Sequence, residues 1–175
     1  MGVFINGGIS RFRQTLGSEI YVDKTDMIDF LNRVLNTEQK CICVSRPRRF
    51  GKSITANMIA AYYEKESDSR SLFEGRKLSK IQNWDCELNK YNVIMIDIAD
   101  ILSSQGSAEK ALDYLEAAII EELKQVFPAL AQSMVGGIPE ALAFINEVTA
   151  EQFIIIIDEW DAFYRDEKFD VLVQK

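Results

Sequence analysis

Ser45-Arg46-Pro47-Arg48-Arg49-Phe50-Gly51-Lys52-Ser53 decides how the rest of the chain is read. Before it runs Lys40-Cys41-Ile42-Cys43-Val44, short and β-prone; after it Ile54, Met58, Ala61 and Tyr62 recur at helical spacing. The pattern predicts strand, tight loop and helix, with Gly51-Lys52-Ser53 at the helix mouth. That is the context a phosphate-binding loop requires. Unsatisfied N–H groups at a helix N-terminus, together with the helix dipole, favour an anion there. Lys52 is the candidate for the β- and γ-phosphates of a nucleotide and the Ser53 hydroxyl for Mg²⁺. The full pattern is G-x-x-x-x-G-K-[ST], and its first glycine position is Arg46 here. Pro47 biases Arg46 toward an extended conformation, so a rigid proline stands in for a flexible glycine. Taken alone, the stretch also reads as a basic surface loop between a strand and a helix.

A second stretch weighs against that alternative. Residues 153–161 read FIIIIDEWD, five apolar residues followed by Asp158, Glu159, Trp160 and Asp161. A wholly apolar run predicts a strand buried on both faces, as in parallel sheets. Ligands of such sheets bind at the carboxyl ends of the strands. Asp158 is therefore placed to hold Mg²⁺ with Ser53, and Glu159 to polarise an attacking water. The alternative is a buried strand whose acids merely solvate its end. Asp161 reads either as an orienting group or as a surface aspartate.

These residues resemble the AAA-ATPase-like family of P-loop proteins, many of which carry a C-terminal PD-(D/E)XK nuclease-like region. Three elements carry the resemblance: Tyr21-Val22-Asp23-Lys24-Thr25, the run from Arg46 to Ser53, and Asp158-Glu159-Trp160-Asp161. They span nearly the whole chain in the family's order. The resemblance makes the missing first glycine a family trait. It implies binding of ATP and Mg²⁺ and hydrolysis by a P-loop ATPase domain of the catalytic-glutamate type. Lys52 and Glu159 would be catalytic, and Ser53 and Asp158 the metal ligands. Arg46, Pro47, Arg48, Arg49, Phe50, Gly51, Lys52, Ser53 and Ile54 would form the nucleotide-binding loop. Arg48 and Arg49 are candidates, by position alone, for the cation that stabilises the transition state. Tyr21 to Thr25 would lie near the base; the plainer reading is that Tyr21 packs and Thr25 caps a helix carrying Ile28, Leu31 and Leu35. The family places more chain after the acidic strand. The resemblance thus implies residues 1–175 as the N-terminal part of one P-loop domain, with later strands missing and other chains or a C-terminal domain as partners.

Composition narrows the alternatives. With 175 residues, 47% of them hydrophobic, the chain can bury one sizeable core. At 27% charged residues and with three prolines, long disorder is not expected. The net charge of −7 argues against direct nucleic-acid binding by this part, the local cluster of Arg46, Arg48, Arg49 and Lys52 apart. Cys41, Cys43 and Cys86 lack metal-ligand spacing, and without histidine a zinc site is not expected. They read as small buried hydrophobes in a reduced, cytoplasmic chain. No run is long enough to span a membrane and the N-terminus has no secretory pattern. Met1-Gly2 begins like a myristoylation signal, but Asn6 stands where Ser or Thr is expected.

The remaining segments predict an α/β/α architecture with a mostly parallel sheet. Gly7-Gly8 marks a turn, residues 71–90 one or two short helices on the sheet edge, and residues 91–99 a second strand. Asp97 and Asp100 read as strand-end solvation. After a polar loop at residues 103–107, a long helix carries Leu112, Leu115, Ile119, Leu123 and Val126 and stops at Pro128. Gly136-Gly137 turns the chain, and Pro139 opens a helix with Leu142 and Ile145. Three rival functions remain on sequence alone: a nucleotide-dependent switch with little hydrolysis, the ATPase module of a nuclease-linked nucleic-acid-processing protein, and a small-molecule kinase.

Overall fold

The computed structural model describes residues 3–45, 47 and 49–165. The fold is mixed α/β, and it divides into two compact units. One is Asn6–Val93; the other joins the described residues before position 6 to those after position 93.

The first unit is built on helices. Helix α1 (Gly8–Leu16) packs on α3 (Lys52–Tyr63), with α2 (Met27–Val34), the short α4 (Arg70–Phe73) and a 3₁₀ turn at Leu78–Lys80 around them. Gly8 starts α1 where a turn is expected from sequence. A Cβ on Gly8 would lie 2.5 Å from the Ala60 Cβ and 2.7 Å from the Ala61 nitrogen, so only glycine lets the two helices approach this closely. The C-terminal half of α3 is fixed by aromatic packing. Phe12 stacks on Phe73 at 5.4 Å, and Tyr62 meets Phe73 edge-on at 5.4 Å. Such pairs add about 0.5–1.5 kcal/mol each beyond their area burial. Asn32 ties two hydroxyls together: its Nδ2 donates to Tyr62 Oη at 3.0 Å, and Tyr63 Oη donates to Asn32 Oδ1 at 2.7 Å. Met58, Ala61 and Tyr62 are buried as the helical spacing predicts, while Ile54 is exposed. The two short elements between residues 70 and 80 pack on this helical core: Phe73 on Phe12, and Leu78 beside Thr25.

The predicted strand at residues 40–44 does not form. These residues take no regular structure and are exposed, Cys41 and Cys43 included. Their β-branched pattern gives only a preference, and a strand exists where a neighbour completes its hydrogen bonds. Cys86 is exposed too, which corrects the expectation that the three cysteines are buried hydrophobes.

Strand β1 (Asn92–Asp97), which enters the second unit at Ile94, and β2 (Phe153–Asp158) pair in parallel, a two-stranded sheet among the described residues. Helices α5 (Ile98–Gln105), α6 (Ala108–Val126) and α7 (Ile138–Thr149) supply the crossover, and α8 (Ala162–Arg165) follows β2. The expected strand at residues 91–99 ends at Asp97, because Ile98 already belongs to α5. The Asp97 carboxylate caps that helix, accepting from the Asp100 N–H at 3.1 Å. Ser103 to Gln105 are thus helical, and the turn is left to Gly106 and Ser107. Helix α6 ends one residue before Phe127-Pro128, as a proline dictates. Its buried stripe is Ala108, Ala111, Leu115, Ile119 and Leu123, whereas Leu112 and Val126 are exposed. Pro139 lies in the first turn of α7, as expected. The core gathers Ile94, Ile96, Leu115, Ile119, Leu123 and Ile145, each side chain contributing about 1.5–3 kcal/mol if fully buried.

Strand β1 is buried from Asn92 to Ile96, with Asp97 half-buried, and is bounded by β2 and by an antiparallel bridge between Ile5 and Ile94. Strand β2 differs from the expectation of burial on both faces. Ile155 and Ile157 are 50% and 51% exposed, so one face of the strand is open. Among the described residues no helix is long and apolar enough to cross a membrane.

Candidate nucleotide-binding site

The sequence Arg49-Phe50-Gly51 turns the chain sharply before α3. Arg49 has φ +68° and Gly51 φ +74°, both left-handed. The second is easy for glycine; the first costs a non-glycine residue about 1–2 kcal/mol. Gly51 is the N-cap of α3 and, lacking a side chain, makes no capping bond. The first turn carries no acid. The leading N–H groups of a twelve-residue helix thus open onto the loop without a side-chain acceptor supplied at the cap. The Gly51 carbonyl is engaged from behind, accepting from Thr55 N at 3.0 Å and Thr55 Oγ1 at 2.9 Å.

A cavity of about 370 Å³ lies against this mouth, lined by Lys24, Asp26, Met27, Val44, Phe50, Lys52 and Thr55. Its size suits a small-molecule ligand. Lys52 is half-buried there, while Ser53 and Ile54 are exposed on the first turn of α3. Pro47 and Arg49 are exposed in the loop. Arg46 and Arg48 lie outside the described residues.

The segment Tyr21-Val22-Asp23-Lys24-Thr25 forms one wall. Asp23 Oδ1 accepts from Thr25 N at 2.9 Å and Thr25 Oγ1 at 2.7 Å, and Asp23 Oδ2 accepts from Lys77 N at 2.9 Å. Burial pushes this carboxyl upward, but these hydrogen bonds, with the Arg76 charge, hold it below the ordinary carboxylate value. Thr25 is buried, and its Oγ1 accepts from Leu78 N at 3.0 Å. Thr25 therefore braces the segment; the N-cap of α2 is Asp26, whose side chain makes no cap bond. Tyr21 packs, edge-on to Phe12 at 6.2 Å and under the Arg76 guanidinium at 5.1 Å. Burial raises the pKa of its phenol. The residue of this segment that meets the loop is Lys24, whose Nζ donates to the Phe50 carbonyl at 2.5 Å. Its sequence signal was its place in the motif, but a lysine tip at the end of four flexible carbons has no position in a one-dimensional pattern.

In the sheet unit, Asp158 closes β2. It is 7% exposed. Its Oδ1 accepts from Glu159 N at 2.9 Å, while Oδ2 is buried with no hydrogen-bond partner among the described residues. Glu159 follows in left-handed backbone at φ +50°, and Asp161 is half-buried. Trp160 is exposed and meets Tyr164 edge-on at 6.2 Å. Asp97 ends the neighbouring strand. Burial raises its pKa, and the charges of Asp100 and Asp158 push the same way. A buried carboxylate oxygen without a partner suits a hard cation, which takes oxygen ligands. Among the described residues no three side chains of His, Cys, Asp or Glu gather into a protein-only metal cage.

Among the sequence-predicted residues, Phe50 and Lys52 line the cavity and Gly51, between them, turns the loop that bounds it; Asp158 and Glu159 stand together at the end of β2. A family model described as Predicted AAA-ATPase matches residues 7–171 of the chain. No curated protein and no solved structure matches it.

Proposed function

The chain belongs to the AAA-ATPase-like family, and from that premise we propose that it binds Mg-ATP and hydrolyses it. The observation that carries the reading is the mouth of α3, where an uncapped helix N-terminus, Gly51 in left-handed backbone and Lys52 meet one cavity. Backbone N–H groups and the helix dipole would hold the phosphates, and Lys52 would neutralise the β- and γ-oxygens. The Ser53 hydroxyl and the Asp158 carboxylate are assigned as the protein's magnesium ligands. When bound, the ion supplies charge neutralisation at the phosphates. Glu159 is assigned as the base that takes a proton from the attacking water. Its place directly after Asp158 supports that role. The assignment of both motifs to one nucleotide rests on their order in the sequence and on the family. Val44, Met27 and Phe50 give the same cavity an apolar side that suits the base and ribose. With a net charge of −7, the chain is not itself assigned a nucleic-acid surface.

Titration with a fluorescent ATP analogue in the presence of Mg²⁺ tests the loop. Lys52→Ala is expected to weaken binding about tenfold or more, the scale of a lost charge-assisted hydrogen bond. Equal affinity for parent and variant sinks the reading. Glu159→Gln is expected to keep its affinity and lose turnover by about 10²–10⁴-fold. A Glu159→Gln protein with the parent rate places the base elsewhere. A parent chain that binds without turnover makes the protein a nucleotide-dependent switch.

A further inference from the structure

Lys24 puts an ammonium at the cavity that the Gly-Lys-Ser motif does not account for. Its Nζ donates to Phe50 O at 2.5 Å, and a Cβ built on Gly51 would lie 3.3 Å from it. It lines the cavity together with Lys52. The chain on either side of Lys24 is anchored by its neighbours, Asp23 accepting from Lys77 N and Thr25 Oγ1 accepting from Leu78 N. An ammonium has three N–H donors, and the Phe50 carbonyl takes one of them. The carboxylate on the cavity wall, Asp26, stands 4.0 Å from the Lys77 ammonium, so part of its charge is met outside the cavity.

Two lysines converging on one cavity favour a ligand with several adjacent negative charges over one with a single charge. We propose that Lys24 is a second phosphate-binding cation of this pocket and that it confers preference for a polyphosphate chain over a single phosphate. The inference rests on the reading of the loop as a nucleotide site. Lys24 holds the Phe50 carbonyl and at the same time presents its charge to the β- or γ-phosphate of a chain seated at Lys52. Recognition by Lys24 is thus of the polyphosphate and not of the base, in contrast to the base-side role that the family resemblance gives the Tyr21-to-Thr25 segment.

Calorimetric titration of the chain with inorganic tripolyphosphate, and separately with orthophosphate, tests this. Parent protein should bind tripolyphosphate, and Lys52→Ala should lose most of that binding. Lys24→Ala should weaken tripolyphosphate about tenfold or more while changing orthophosphate binding little. Its affinity should also depend less steeply on ionic strength than that of the parent, since one screened charge is gone. Lys24→Gln, which keeps an N–H donor for Phe50 but no charge, should behave like Lys24→Ala; Lys24→Arg should recover most of the parent's affinity and salt dependence. If Lys24→Gln binds tripolyphosphate like the parent, Lys24 only braces the loop and the inference is overturned. The same holds if Lys24→Ala retains the parent's affinity and salt dependence. Parent protein that ignores tripolyphosphate, or a Lys52→Ala variant that binds it undiminished, overturns the loop reading and this inference with it. Equal urea midpoints across the series establish that the differences arise at the site.

Discussion

Gly51 combines two demands that no other residue meets together. Its backbone sits at φ +74°, and the direction a side chain would take leads to the Lys24 ammonium at 3.3 Å. Gly51→Ala is therefore expected to lower stability by about 1–2 kcal/mol through the left-handed backbone alone. It should also weaken Mg-ATP, because the same turn aims the first N–H groups of α3. Urea unfolding and the ATP-analogue titration measure the two effects; an alanine variant as stable as the parent would show that the loop adopts another turn in solution. At this scale the sequence was readable where chemistry is local. Gly51, Lys52 and Ser53 carry their meaning in three consecutive letters, and Asp158 with Glu159 in two. Lys24 was not readable as a loop contact, because its partner is the carbonyl of Phe50, and a backbone carbonyl has no letter.

Helix α1 and helix α3 meet at Gly8 and are held by one acid. Glu64 follows the last turn of α3 and is fully buried. Its Oε2 accepts from Gly8 N at 2.6 Å and Ile9 N at 3.3 Å, at the start of α1. Burial raises its pKa above the ordinary 4.5, the two N–H donors lower it in part, and the charge of Glu66 raises it. In the unfolded chain the proton leaves near the ordinary value; in the folded chain it leaves at higher pH. Stability is therefore full below pH 4.5 and falls as pH rises through the folded value, the folded state holding the extra proton in that window. Glu64→Gln cannot ionise, so its stability should lack this slope. Urea midpoints at several pH values from 4 upward check it, and parallel curves for the two proteins would refute it. Periodic elements were legible at this scale: α3, α6 and α7 lie where the apolar spacing and the prolines put them. Helix α1 is less legible because its apolar face is short: Ile9 and Phe12 are buried, but the closest contact is Gly8 against Ala60 and Ala61, where a glycine gives no hydrophobic signal. The strand expected at residues 40–44 was over-read for the opposite reason, since β-rich letters do not supply a pairing partner.

Across the whole molecule, the acidic surface and the open face of β2 pull solubility in opposite directions. A net charge of −7 keeps copies apart. Ile155 and Ile157, two positions apart and so on one face of the strand, are half exposed, and Trp160 and Tyr164 just beyond are 53% and 70% exposed. The FIIII run announced a strand, but its letters could not say how many neighbours cover it; that depends on the sheet around it. An apolar strand face of this kind is an aggregation hazard, and lysine is the usual natural guard. The double variant Ile155→Lys, Ile157→Lys is expected to stay soluble at higher concentration than the parent. The direction is diagnostic, because two added lysines move the net charge toward zero, which by itself lowers solubility. Stability should change by less than about 1 kcal/mol, since half-exposed side chains give up little burial. Light scattering against concentration, paired with urea unfolding, measures both. A large loss of stability without a gain in solubility would mean that this face of β2 is covered in solution, and that the exposed isoleucines belong to a core.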